Sequence, residues 1–225
     1  MLSPYQEQLR RRFLSAPVTA APAPWRPVGN GLIPVGGLLG IGFAVAPGSG
    51  RELVMVVSTA GHGLFDALTG DKIARDRDPD PETSTPDEAP DLSCPGFGPL
   101  TGIRVPIAGL FGGGLHTTTA GGWQLEVVAA EWPHDRVLLS TDGGMPHNGP
   151  HGERWWHVFD ANYSELRAAG FSPSGRTLAV ATSSDLTLWT RAPLSADPAG
   201  TAPTDGRTDD ARAATRSPDA DAPCS

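Results

Sequence analysis

Short apolar runs separated by turn residues recur along the chain. Leu53-Val54-Met55-Val56-Val57, Leu125-Glu126-Val127-Val128, Arg136-Val137-Leu138-Leu139 and Leu178-Ala179-Val180-Ala181 are runs of this kind. Most are bounded by Gly, Pro, Asp or Ser, so they read as strands. Ile103 to Leu110 is another, but Pro106 lacks a backbone donor and demotes it to an edge strand. Gly31 to Ala46 is apolar and sixteen residues long, with Pro34 and five glycines inside it. That is short of the about 20 residues a membrane-spanning helix needs, so it predicts a buried strand pair. Many short strands between turns predict a sandwich, a barrel or a propeller.

The N-terminus breaks this pattern. Ser3 is placed to cap a helix, Pro4 suits its first turn, and Gln6 stands three residues after Ser3 as in a capping box. Tyr5, Leu9 and Phe13 then recur every four residues and form one apolar stripe. Arg10, Arg11 and Arg12 lie around the other faces. The helix is expected to pack on the outside of the domain; the alternative is a basic amphipathic helix that docks on an acidic surface or partner. Arg10 to Leu14 also looks like a twin-arginine export motif. The stretch that follows is broken by Pro17, Pro22 and Pro24, so export is not the expectation. Ala16 to Pro27 reads as an extended connector.

Comparing the strand runs exposes a repeat. Gly170-Phe171-Ser172-Pro173-Ser174-Gly175-Arg176-Thr177-Leu178 runs strand, turn, strand. Pro133, Arg136 and Leu138 match Pro173, Arg176 and Leu178 at an offset of 40 residues. Arg51-Glu52-Leu53 opens the same pattern earlier, with room for one further unit near Ile103. A third strand closes three of the units: Leu64-Phe65-Asp66-Ala67, Val158-Phe159-Asp160-Ala161 and Leu186-Thr187-Leu188-Trp189.

On these residues the chain resembles the WD-type repeat family. GFSPSGRTLAVATSSDLTLW is similar to the core of one repeat, and FDALTGDKIAR to the dipeptide and turn that end one. A period of about 40 residues suits that family. Gly61-His62 stands for its Gly-His signature, and Phe-Asp replaces Trp-Asp. The resemblance covers about Gly36 to Arg191 and implies a propeller-like stack of antiparallel blades, with the third-strand aromatic filling the gap between neighbours. One blade cannot bury its own faces, so blades must stack. About four units are found, the lower edge of the range of roughly 4–8 blades. A small closed ring, an open stack completed by a second copy, and a β-sandwich all remain open.

Composition modifies this picture in three places. Gly (28) and Pro (23) make up about 23 % of the 225 residues, against roughly 12 % in average usage. That favours turns and short strands over a helix bundle. Asp76 to Pro90 has Ala89 as its sole apolar residue other than proline, so an acidic loop is expected over 76–92. From Pro193 the chain becomes rich in Ala, Pro, Asp and Thr, so 193–225 is expected to be a disordered tail. The expected division is therefore helix and connector over 1–27, an all-β propeller-like body over 28–192, and the tail. The formal net charge of −8 makes general nucleic-acid binding a poor fit. Two cysteines, Cys94 and Cys224, are read as free thiols of a reducing, cytoplasmic compartment.

Candidate chemistry is sparse. The chain has no Gly-x-Ser-x-Gly elbow, and Gly112-Gly113-Gly114 lacks the residues of a phosphate-binding loop. No cofactor is expected. The long loop Asp142 to Trp156 carries His147, His151 and Arg154 and ends in Trp155-Trp156. Adjacent strand residues point to opposite faces, so one tryptophan enters the core. The other points outward as a binding anchor or enters a neighbouring blade. His147, His151 and His157, spaced by four and six, form the alternative: a metal site of a metal-binding protein or metal-dependent enzyme. The leading expectation is a soluble, non-catalytic binding or scaffold protein. Its partner is expected to be a protein, with no membrane association. Self-association through open sheet edges is a further possibility.

Overall fold

The computed structural model describes residues 2–86, 91–141, 143 and 145–191. Helix α1 (Pro4–Ser15) begins as its first residues dictate. The Gln6 N–H donates to Ser3 Oγ at 3.2 Å and the Ser3 N–H to Gln6 Oε1 at 2.8 Å, closing the capping box. Phe13 is buried and Leu9 half-buried, while Tyr5 is exposed. Only the C-terminal half of the apolar stripe is seated.

Strands follow in chain order. β1 (Arg26–Pro27) and β2 (Ile33–Pro34) are short. β3 (Leu38–Val45), β4 (Glu52–Ser58), β5 (Gly61–Asp66) and β6 (Lys72–Asp76) form an antiparallel meander. β7 (Ser93–Pro95) and β8 (Arg104–Pro106) form a hairpin, and β9 (Ala108–Gly109) pairs back onto β3. β10 (Gln124–Glu131), β11 (His134–Ser140) and β12 (Trp155–Asp160) make a second meander; β13 (Leu166–Phe171), β14 (Thr177–Thr182) and β15 (Asp185–Thr190) make a third. Sheet I is β6-β5-β4-β3-β9, sheet II is β10-β11-β12, and sheet III is β1-β15-β14-β13 with β2 also on β15. The protein is thus mostly β, built from antiparallel sheets, and none of them closes on itself. Among the described residues no helix is long and apolar enough to cross a membrane.

The predicted second unit is reduced. Ile103 to Leu110 becomes β8 and β9, with Pro106 ending β8, and it forms no meander of its own. The connector instead supplies outer strands to the other units. Val18 bridges to His157 on sheet II, and the Thr19 N–H donates to the His157 carbonyl at 2.8 Å. Arg26 and Pro27 pair with Thr190 and Trp189 on sheet III. The reading of 193–225 as a tail lies outside the described residues, as do four residues of the acidic loop, 87–90.

The central strand of each meander is buried on both faces, and its alternate residues enter different cores. On β4, Val54 and Val56 face sheet III, while Leu53, Met55 and Val57 face the β7–β8 hairpin. On β14, Ala179 and Ala181 meet sheet I, while Leu178 and Val180 meet sheet II. On β11, Val137 and Leu139 meet sheet III, while Leu138 lies under α1 with Trp155 and Phe13. The layers therefore run hairpin, sheet I, sheet III, sheet II, helix. The third-strand aromatics stand between sheets: Phe65 between I and III, Trp189 and Phe159 between III and II. Gly42 allows the hairpin to approach, because a side chain there would run into the Pro106 carbonyl.

The Phe-Asp dipeptide has a local cause. Asp66 Oδ1 accepts the N–H groups of Leu68 and Thr69 at 2.9 and 2.8 Å and so shapes the turn after β5. Its other oxygen accepts from Arg51 Nε at 3.0 Å. Arg136 and Asp160 form the corresponding pair at 3.8 Å in sheet II. Burial by itself would raise the Asp66 carboxyl, but the Arg51 side chain and the Thr69 and Leu68 amides together hold it below its ordinary 3.8. A lowered folded-state value stabilises the fold above the unfolded value, and that contribution disappears as pH falls through the folded one. Asp66→Asn is therefore expected to flatten the loss of stability below 3.8 and to cost about 1 kcal/mol at neutral pH. Urea melts across acid pH test it; an acid limb as steep as the wild type's would refute this account.

Candidate functional site

The predicted site loop folds back against the N-terminal helix. Arg12 Nη1 donates to the His147 carbonyl at 2.7 Å, and Nη2 donates to the Gly149 carbonyl. The Arg12 guanidinium lies 5.4 Å from the Trp155 ring centre. Trp155 is 1 % exposed, meets Phe13 edge-on at 5.8 Å, and donates its Nε1–H to the Gly149 carbonyl at 3.3 Å. Trp156 turns the other way, half-buried, with its ring 6.2 Å from Trp123. The two tryptophans take opposite faces as strand geometry requires, and both pack between layers. Arg154 is exposed, and among the described residues it joins no ion pair. His147 meets Arg12 through its backbone carbonyl, with its ring half-buried.

The histidine spacing does not become a ligand set. His157 is fully buried. Its Nδ1 lies 3.0 Å from the Ala16 carbonyl and its Nε2 3.0 Å from the Phe159 carbonyl. Both partners are acceptors, so a neutral ring donates to one of the two carbonyls, through whichever nitrogen carries the proton. His151 packs its ring 4.8 Å from Trp155, and the His157 backbone N–H points at its Nε2, 3.5 Å away. Burial, and after it the neighbouring His157, holds the His151 imidazole below its ordinary value. Among the described residues no three His, Cys, Asp or Glu side chains gather as metal ligands. Two backbone carbonyls stand against the ring nitrogens of the third histidine. Cys94 is buried and free; burial pushes its thiol up to about 11 against the opposing charge of Arg104, which makes it an inert core thiol. Cys224 lies outside the described residues.

Sequence reasoning missed the β10 edge of sheet II. There α1 and the edge strand β10 enclose an apolar groove of about 520 Å³, lined by Leu2, Leu9, Phe13, Val128, Ala130 and Trp132 among others. Trp132 is 84 % exposed. Thr118 bridges to Gln124, and the Leu125 N–H donates outward to the Thr117 carbonyl at 2.8 Å. The chain thus lies alongside the first part of β10 and then leaves it. By the two-residue period of a strand, Val127 turns its backbone groups outward as Leu125 does. Val127 is 40 % exposed. Arg10 Nε reaches the Ala130 carbonyl at 2.9 Å, fixing the helix beside this edge. In the sequence, Trp132-Pro133 registers only as a turn aligned with the later repeat, so nothing marked it as surface.

No family model matches the chain, and no curated protein or solved structure matches it either. Function is therefore read from the geometry of the surface.

Proposed function

We propose that the chain is a non-catalytic binding protein with a body of WD-like, blade-shaped sheets, and that it takes an extended apolar segment of a partner protein along the open edge of β10. The carrying observation is Trp132, 84 % exposed at the end of an unfinished strand edge and beside an apolar groove. A segment continuing the Thr117–Thr118 pairing would add to sheet II by main-chain hydrogen bonds, with apolar side chains entering the groove. The blade-like reading is supported by the four-stranded meander of Leu38 to Asp76 and by the aromatics Phe65, Phe159 and Trp189 between sheets. A partner fits this edge better than a second copy. Antiparallel self-pairing centred on Val128 and Ala129 would set Glu126 of one chain opposite Glu131 of the other, and like charges facing across a ladder are destabilising.

Peptide display against the immobilised protein tests this. The expected result is enrichment of short, apolar, extended peptides whose binding perturbs the amides of residues 126–132. Trp132→Ala is expected to weaken them by about 2 kcal/mol, or about thirtyfold in Kd. Absence of enrichment, or peptides indifferent to Trp132→Ala, would refute the assignment.

A further inference from the structure

Away from β10, the three strands β4, β5 and β6 and the segment Pro34 to Gly36 surround a cavity of about 230 Å³. Val35, Val56 and Phe65 give it an apolar wall, and Gly63 leaves its floor open. Its charged members are Lys72 and Arg75, both on β6. These two stand three residues apart, a spacing that in a regular strand sends side chains to opposite faces. A bulge changes that. Lys72 pairs with Phe65 and Arg75 with Gly63, with the register shift between Leu64 and Phe65. Phe65 and Gly63 share a face, so the extra residue brings both cations to that face. Lys72 Nζ lies 6.0 Å from the Phe65 ring centre, and Arg75 Nη2 donates to the Ala60 carbonyl at 3.1 Å. Among the described residues neither joins an ion pair, and no Asp or Glu lines the cavity. Lys72 is the chain's single lysine.

We propose that this cavity binds a small molecule carrying one carboxylate on a compact apolar or aromatic body. The carboxylate sits between the Lys72 ammonium and the free N–H groups of Arg75, which match it as charge-assisted donors. The body lies against Phe65 and Val56. A volume of about 230 Å³ equals roughly eight waters at about 30 Å³ each, which limits the ligand to about ten heavy atoms. The apolar wall is what separates this ligand class from a bare phosphate. The site is independent of the β10 edge.

Titration of the full chain with benzoate, followed by amide NMR shifts, tests the proposal, with benzamide and inorganic phosphate as comparison arms. The expected result is saturable benzoate binding with shifts at Gly61, Gly63 and Lys72. Benzamide and phosphate are each expected to bind at least about tenfold more weakly, the worth of one charge-assisted bond or of the buried ring. Lys72→Met and Arg75→Met are each expected to weaken benzoate about tenfold, and Lys72→Arg to stay within about threefold. Both side chains are exposed, so melting temperatures are expected to match the wild type's, and Trp132→Ala to leave benzoate binding unchanged. No saturable benzoate binding, phosphate binding as tight as benzoate, or charge-removing variants that bind like the wild type would each overturn it.

Discussion

Trp155→Ala is expected to destabilise the protein by about 3–5 kcal/mol, the range for truncating a fully buried tryptophan, and to loosen helix α1 from sheet II. The ring is 1 % exposed and forms the floor on which the helix rests. Phe13 meets its edge, Arg12 lies over its face, and His151 packs beside it. Without the ring, Phe13 faces a cavity, and Arg12 keeps only its two carbonyl bonds at His147 and Gly149. A 12-residue helix is marginal in water without such packing, since isolated helices under about 12–15 residues barely form. The predicted signature is therefore two-fold. Urea melts shift by the stated amount, and amide exchange in residues 9–15 accelerates more than in the sheet I strands. Uniform acceleration across all three sheets would mean that Trp155 supports the whole stack rather than the helix. An unchanged melt would mean that the ring is not buried as described.

Local rules carried much of this architecture. Ser3, Pro4 and Gln6 place the helix start because capping is a matter of neighbouring atoms. Leu53 to Val57 announced a strand buried on both sides, since an unbroken apolar run leaves neither face for water. Trp155 and Trp156 had to diverge, and they do. The Asp of the Phe-Asp dipeptide is explained by the two amides it accepts in the next turn. What was not legible depends on contacts far apart in sequence. Nothing near Val18 or Arg26 says that they finish sheets made by residues 155–160 and 185–190. The offset of 40 aligns Arg136 with Arg176, yet Asp160 answers the first while Thr190 stands at the end of β15. The histidine spacing suggested a metal because spacing ignores the carbonyls of Ala16 and Phe159. The convergence of Lys72 and Arg75 requires a bulge, and three-residue spacing by itself argues against it. For the surface, the sequence marked the loop rich in His and Trp. The fold buries Trp155 of that loop against α1 and leaves Trp132 outside.

His157→Leu keeps the volume of a buried side chain and removes both of its polar contacts, so it isolates what those contacts contribute. A neutral ring donates to one of the Ala16 and Phe159 carbonyls, and a buried acceptor left unpaired costs about 1–3 kcal/mol, so the expected loss is about 1–3 kcal/mol. The backbone bond from the Thr19 N–H to the His157 carbonyl survives the substitution. The connector is therefore expected to stay on sheet II, which separates this variant from Trp155→Ala. A second effect concerns pH. Burial first, and the charge of His157 second, hold His151 below 6.5 in the folded protein. A histidine with a lowered folded-state value binds protons more readily when unfolded. Its contribution is thus complete above 6.5 and is lost as pH falls through the folded value. Removing His157 removes the second cause, so the decline of stability below 6.5 becomes shallower in His157→Leu. Urea melts at several pH values on both sides of 6.5 measure both effects together. A variant as stable as the wild type would show that the carbonyl finds another donor. An unchanged slope would show that His151 responds to burial and not to the neighbouring ring.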